Sequence, residues 1–86
     1  MRTLTQLERA RLRWRARRGM LENDLMVTRF LDEYEVGLTD VDVSALTCLF
    51  EMDDTELLDV LLATKEVEGK YDTPDIRRLV ALMRAL

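Results

Sequence analysis

The 86-residue chain has no histidine and few other residues of the kinds that catalyse reactions or hold metals. Without histidine there is no imidazole general base, no Ser-His-Asp triad and no mixed cysteine–histidine zinc site. Serine occurs once, as Ser44, and cysteine once, as Cys48, so no internal disulfide can form. We therefore expect a protein that is not an enzyme, that binds no metal or other cofactor itself, and that is cytoplasmic.

Glycine and long apolar runs are also scarce. The three glycines lie far apart, so no glycine-rich loop is available to cradle a phosphate. No apolar run approaches the roughly 20 residues of a membrane span, and no signal peptide is recognisable, so we expect no membrane insertion. With 48% hydrophobic and 35% charged residues, the composition predicts one soluble domain over residues 1–86 rather than a disordered chain.

Charge is distributed unevenly, although the net charge is only −4. Residues 1–18 carry +6, residues 22–75 carry −13 and residues 76–86 carry +3. Two interpretations follow, and both can hold at once. Either the basic first segment packs against acidic neighbours within the chain, or it forms a docking face for an acidic partner or a phosphate backbone.

Apolar residues recur at helical spacing, and no segment alternates with the two-residue period of a strand. We predict an all-α fold, a compact bundle of five short helices. The first two helices are predicted over residues 4–17 and 20–35, with Leu7 and Trp14 in the buried stripe of the first and with Leu12 and Ala16 widening that stripe. The predicted core consists of Leu7, Trp14, Leu25, Phe30, Leu46, Phe50, Leu57, Leu61, Leu79 and Val80.

The last three predicted helices begin at residues that cap helices, each supported by an acidic residue or a proline. These starts are Thr39 with Asp42, Asp53 with Glu56, and Thr73 with Pro74. Gly37, just past the second helix, is typical of a C-terminal cap in the left-handed conformation. Residues 64–73 have a weak apolar pattern and are predicted to form the longest loop.

The junction between the first two helices reads Arg17-Arg18-Gly19-Met20-Leu21-Glu22. Two cations end one helix and an acid lies in the first turn of the next, and each charge suits the dipole of its helix. Gly19 leaves the backbone between these charges bare. Such a strip lets another protein approach closely, so we predict a docking site here. The alternative is a plain interhelical turn with a neighbouring ion pair.

Residues 17–24 also resemble the signature of a known family, whose core motif is Arg-Gly-x-x-Glu. Here the motif is matched by Arg18, Gly19 and Glu22. Family members tend to place an arginine and a tryptophan upstream, and an acidic pair after the third helix. The corresponding residues here are Arg11, Trp14, Asp53 and Asp54. On these residues, and over roughly positions 8–62, the chain resembles the succinate dehydrogenase assembly factors, the flavinylation-factor family of bacteria and mitochondria.

This resemblance implies a small helical assembly factor that binds the flavoprotein subunit of succinate dehydrogenase or of fumarate reductase. Such a factor promotes covalent attachment of FAD to a histidine of that client subunit, so FAD belongs to the client. The resemblance and the junction together indicate partner-binding residues Arg11, Arg17, Arg18, Gly19, Met20, Glu22, Asp24 and Asp53. We expect a monomer in the bacterial cytoplasm. Asn23 departs from the family, since many relatives have leucine there, and the packing beneath the motif is expected to differ.

A nucleic-acid-binding helical module is the alternative function, with the arginine-rich first helix on a phosphate backbone. The overall acidity of the chain and the lack of a second basic helix speak against it. Under the leading interpretation, nucleic acid is not a partner.

Overall fold

Five α-helices follow one another in the part of the chain that the structure, a computed structural model, describes, namely residues 4–17 and 20–86. They are α1 (Gln6–Ala16), α2 (Leu21–Tyr34), α3 (Asp40–Leu49), α4 (Asp54–Leu61) and α5 (Pro74–Arg84). Short 3₁₀ turns follow α2 at Glu35–Gly37 and precede α5 at Gly69–Tyr71, and these described residues form no strand. The predicted all-α fold with five helices is confirmed.

The predicted helix starts are confirmed. The Thr39 hydroxyl accepts a hydrogen bond from the Asp42 amide, and the Asp42 carboxylate accepts one from the Thr39 amide, which completes a capping box. The side chains of Asp53 and Thr73 cap α4 and α5 by accepting one hydrogen bond each, from the amides of Glu56 and Ile76, without the reciprocal bond. The start of α1 carries a further capping box, between Thr5 and Glu8, that was not predicted.

The core lies where α2 packs against α4 and α5, and where α3 packs against α5. Its apolar side chains come from every helix and from the connections before α3, between α3 and α4, and between α4 and α5. They are Leu12, Ala16, Val27, Phe30, Leu31, Leu38, Leu46, Leu49, Met52, Leu57, Val60, Leu61, Val67, Ile76, Leu79, Val80 and Met83. None of the described helices is long and apolar enough to cross a lipid bilayer.

The predicted buried face of α1 is wrong. Leu7 is 61% exposed and Trp14 is 73% exposed, while Leu12 and Ala16 are buried. Because each residue advances a helix by about 100°, Trp14 lies about 200° from Leu12, on the opposite side. The helix offers two apolar stripes, and the one with the smaller side chains faces the core.

Three further expectations need correction. Leu25 was placed in the core but is exposed, and Phe50 is only half-buried. Gly37 lies inside the 3₁₀ turn after α2 and has no positive φ, so it is not a left-handed cap. The positive φ values in the described chain belong instead to Ala63, at 63°, and Gly69, at 60°.

An ion pair between Asp42 and Arg78 joins α3 to α5. Asp42 is buried, and burial raises the pKa of its carboxyl; the hydrogen bonds from Arg78 and Thr39 outweigh that effect and lower the pKa below its usual range. The carboxylate therefore caps α3 and at the same time holds α5 against α3 through the ion pair.

Candidate functional site

The predicted junction begins at Arg17, where α1 ends. Arg17 has an extended backbone (φ −69°, ψ 127°), and its amide donates to the carbonyl oxygen of Trp14 over 3.3 Å. Its guanidinium carbon lies 5.6 Å from the centroid of the Trp14 ring, within cation–π range. The end of α1 therefore presents a cation stacked on an exposed indole.

The other side of the junction is the first turn of α2. Met20 is half-buried and extended (φ −97°, ψ 120°), and its carbonyl accepts from the amide of Asp24 over 3.1 Å. Glu22 is exposed and makes no ion pair within the described residues, whereas Asp24 is half-buried and has an interaction partner. Two acids in a first turn interact favourably with the helix dipole and so stabilise this end of α2. Glu22 contributes in this way without an ion pair to any described residue.

Asn23 connects this turn to the start of α4. Its side chain is fully buried, and its Nδ2 donates to the backbone carbonyl of Asp54 over 2.8 Å. The neighbouring Asp53 is exposed, and its carboxylate accepts from the Glu56 amide over 2.9 Å. The acidic start of α4 is thereby held next to the first turn of α2, and contact of Asp53 with a partner stays a prediction.

Two residues of the predicted motif, Arg18 and Gly19, lie outside the described residues. Their flanks are defined, because Arg17 precedes them and Met20 follows them, each in extended conformation. The placement of Arg18 and Gly19 as client contacts thus stays a prediction from the sequence.

A groove of about 570 Å³ runs between α1 and α2 beside the junction. Its walls combine apolar and charged side chains, and two of the predicted partner-binding residues, Arg17 and Asp24, line it together. The lining residues are Ala10, Arg13, Trp14, Ala16, Arg17, Asp24, Thr28 and Leu31. Arg11 does not join them. It lies with Arg15 and Asp40 in a separate, smaller groove between α1 and α3.

The arginines of α1 divide into two groups. Arg13 forms ion pairs with Asp32, at 2.9 Å, and with Glu35, and Arg9 lies 3.9 Å from Glu35. Arg11 and Arg15 are exposed and make no ion pair with any described residue. The intramolecular interpretation of the basic segment is therefore confirmed for Arg9 and Arg13, whereas docking through Arg11 and Arg15 stays a prediction.

Sequence reasoning missed Trp14 as a surface residue and Asn23 as a buried polar residue. The signal for Trp14 was the second apolar stripe through Leu12 and Ala16. The signal for Asn23 was its spacing, because it lies four and seven residues before Val27 and Phe30 on the buried face of α2.

The fold and this surface define a small helical protein whose candidate site is suited to contact with another protein. A family model described as "Flavinator of succinate dehydrogenase" matches residues 10–86. The FAD assembly factor SdhE of Ralstonia nicotianae is 59% identical over 78 residues, which covers 91% of this chain and 82% of the relative. The FAD assembly factor SdhE of Vibrio vulnificus strain CMCP6 is 32% identical over 77 residues, 90% of each chain.

The chain therefore belongs to the succinate dehydrogenase flavinator family. No solved structure matches it. Membership confirms the resemblance inferred from the Arg-Gly-x-x-Glu motif, and it confirms the prediction of an FAD assembly factor rather than an enzyme. Nothing in these relatives supports the nucleic-acid alternative.

Proposed function

We propose that this chain binds the flavoprotein subunit of succinate dehydrogenase through the α1–α2 junction and promotes covalent attachment of FAD to it. The observation that carries the proposal is the pair Arg17 and Glu22. Both are exposed, and within the described chain neither makes an ion pair. Charges without an ion pair in the described fold, at a position where the family has its motif, are available to a partner.

The other residues proposed to contact the client lie between Arg17 and Glu22 or around them. Arg18 would make a charge-assisted hydrogen bond, and Gly19 would let the client approach the backbone closely. Glu22 and Asp53 would present carboxylates, since the buried Asn23 amide keeps the start of α4 beside the first turn of α2. The full proposed surface is Arg11, Arg17, Arg18, Gly19, Met20, Glu22, Asp24 and Asp53.

The chain would assist flavin attachment by holding the client in a reactive arrangement. It has no histidine to act as a general base, so the client's own groups supply the acid–base chemistry. Fixing reacting groups in place is itself a large contribution to rate. We propose that FAD stays on the client, that the chain acts as a monomer in the cytoplasm, and that the flavoprotein of fumarate reductase is a second client.

The experiment is covalent flavin fluorescence of the client subunit after denaturing electrophoresis, with thermal melts of each variant. Gly19→Arg, Glu22→Ala and Arg18→Ala should each lose most of the flavinylation. Glu22 is exposed at a helix start, so its truncation should cost only about 0.5 kcal/mol of stability, mainly from the helix dipole.

Matched controls are available in the same chain. Gly37→Arg adds the same bulk and charge at an exposed position where an added Cβ meets nothing within 4 Å, and Glu33→Ala removes an exposed acid from the far end of α2. Both controls should support normal flavinylation. The proposal is wrong if the motif variants flavinylate normally, or if activity is lost only in variants that are themselves unfolded.

A further inference from the structure

Trp14 is the most unusual surface residue of the described chain. An indole is among the side chains that gain most from burial, yet this one is 73% exposed. Leu7 lies seven residues earlier on the same face of α1 and is 61% exposed, and on α2 Leu21 and Leu25 are 66% and 56% exposed. The two helices that flank the groove thus show large apolar side chains to solvent, which is typical of a protein interface.

The fold does not need these side chains. Leu12 and Ala16 attach α1 to the core, and the ion pairs of Arg13 attach it to the end of α2. Trp14 lies on the opposite side of α1 from Leu12, as a wall of the groove that Thr28 and Leu31 also line. Trp14 therefore lies in the wall of a concave, largely apolar surface, with the guanidinium of Arg17 over its ring, and not in the core.

The charge around the groove favours an acidic occupant. Arg17 borders the groove, and Arg11 and Arg15 lie on exposed positions of the same helix without ion-pair partners among the described residues. A carboxylate that approaches Trp14 therefore meets Arg17 directly, while Arg11 and Arg15 lie along the separate groove between α1 and α3 and add only to the positive field of the helix.

We infer that the groove between α1 and α2 receives a segment of the client flavoprotein that carries an aliphatic or aromatic side chain next to a carboxylate. The apolar side chain packs on Trp14 and the carboxylate pairs with Arg17. This inference rests on the proposed function and adds to it a second contact region beside the Arg-Gly-x-x-Glu motif.

Trp14 is the only tryptophan, so the full chain labelled with fluorotryptophan gives one fluorine NMR resonance that reports on the groove. Adding the flavoprotein subunit without covalent FAD should shift that resonance. Trp14→Ala should melt like the wild type but bind the subunit at least about tenfold more weakly, the loss typical of an aromatic anchor. Arg17→Glu should also bind more weakly. Leu62→Ala, which truncates an exposed leucine just past α4, should bind normally.

The outcomes separate this inference from the proposed function. If the wild type does not bind the subunit, the proposed function fails. If the wild type binds without any shift of its fluorine resonance, Gly19→Arg abolishes binding and Trp14→Ala binds as well as the wild type, only the groove inference fails. A shift produced by anionic phosphatidylglycerol vesicles but not by the subunit would likewise overturn it, in favour of a membrane-facing groove.

Discussion

Asn23 is a buried amide between two acidic residues of the candidate site. Its Nδ2 donates to the Asp54 carbonyl over 2.8 Å, while its Oδ1 has no hydrogen-bond partner among the described residues. One donor therefore carries the link between α2 and α4 at this point. Because the side chain is fully buried, the strength of that link depends on the chemistry of a single atom.

Asn23→Asp should destabilise the protein by about 3 kcal/mol near neutral pH, because a buried carboxylate would face a carbonyl and lose the donor. Burial raises the folded-state pKa of the new carboxyl above its unfolded value of about 3.9. Stability should therefore recover as the pH falls through that raised pKa, where the protonated carboxyl can donate. Urea unfolding at about pH 7.5 and about pH 5 measures this.

The control is Asn23→Leu, which removes the donor and the unpaired acceptor together and should change stability by no more than about 1 kcal/mol at either pH. The wild type has no histidine, so little of its own charge titrates between these pH values. An equal loss of stability for Asn23→Asp at both pH values would contradict the role assigned to the donor.

At the scale of the helix, the N-terminal ends of α3, α4 and α5 could be predicted from the sequence, and the C-terminal end of α4 could not. Thr39, Asp53 and Thr73 cap their helices through bonds to residues three positions later, so the whole interaction is local and visible in the sequence. The end of α4 carries no such signal. Ala63 adopts the left-handed conformation there, with φ 63°, where glycine is the usual residue.

The hydrogen bonds after α4 explain why Ala63 is held in this conformation. Its amide donates to Val60 over 3.1 Å, and the next amide, that of Thr64, donates to Asp59 over 3.0 Å. This is the pattern of a Schellman motif, which satisfies the last carbonyls of a helix. The motif forces an alanine into a conformation that costs an L-residue about 1–2 kcal/mol.

Ala63→Gly should therefore stabilise the protein by about 1 kcal/mol, since glycine adopts this φ without steric cost. Gly69→Ala is the reciprocal change, because Gly69 has φ 60° and an added Cβ there meets nothing within 4 Å. It should cost about 1 kcal/mol for the backbone conformation alone. Thermal melts of both variants test the pair, and melting temperatures that shift in the same direction would refute the argument.

At the scale of the whole molecule, the sequence alone does not determine which face of α1 is buried. Stripes through Leu12 and through Trp14 are both compatible with a helix, and the choice between them depends on where α2 lies. The candidate site was predictable where it depends on order along the chain, as for Arg17 and Glu22. The groove was not, because it requires the pairing of two helices that only the fold supplies.

At this scale too, Glu35 links the acidic part of the chain to the basic first helix. Its side chain is only 16% exposed and its carboxylate pairs with Arg13 and Arg9, so the acidic end of α2 holds the basic α1. Only Leu12 and Ala16 of α1 are buried, whereas four residues of α5 are. We infer that α1, which carries Arg11 and Trp14 of the proposed client contacts, opens more readily than the other helices.

Glu35→Gln should expose this difference, because the neutral amide keeps the shape of the carboxylate but loses its charge-assisted bonds to the two arginines. Amide hydrogen exchange in α1 should accelerate about tenfold, and the amides of α3 and α5 should keep their protection, since their core does not involve Glu35. Glu33→Gln, an exposed neighbour on α2, should change neither group. Equal acceleration in all helices would show that α1 opens only with the whole fold, and no acceleration in α1 would show that these ion pairs do not hold it.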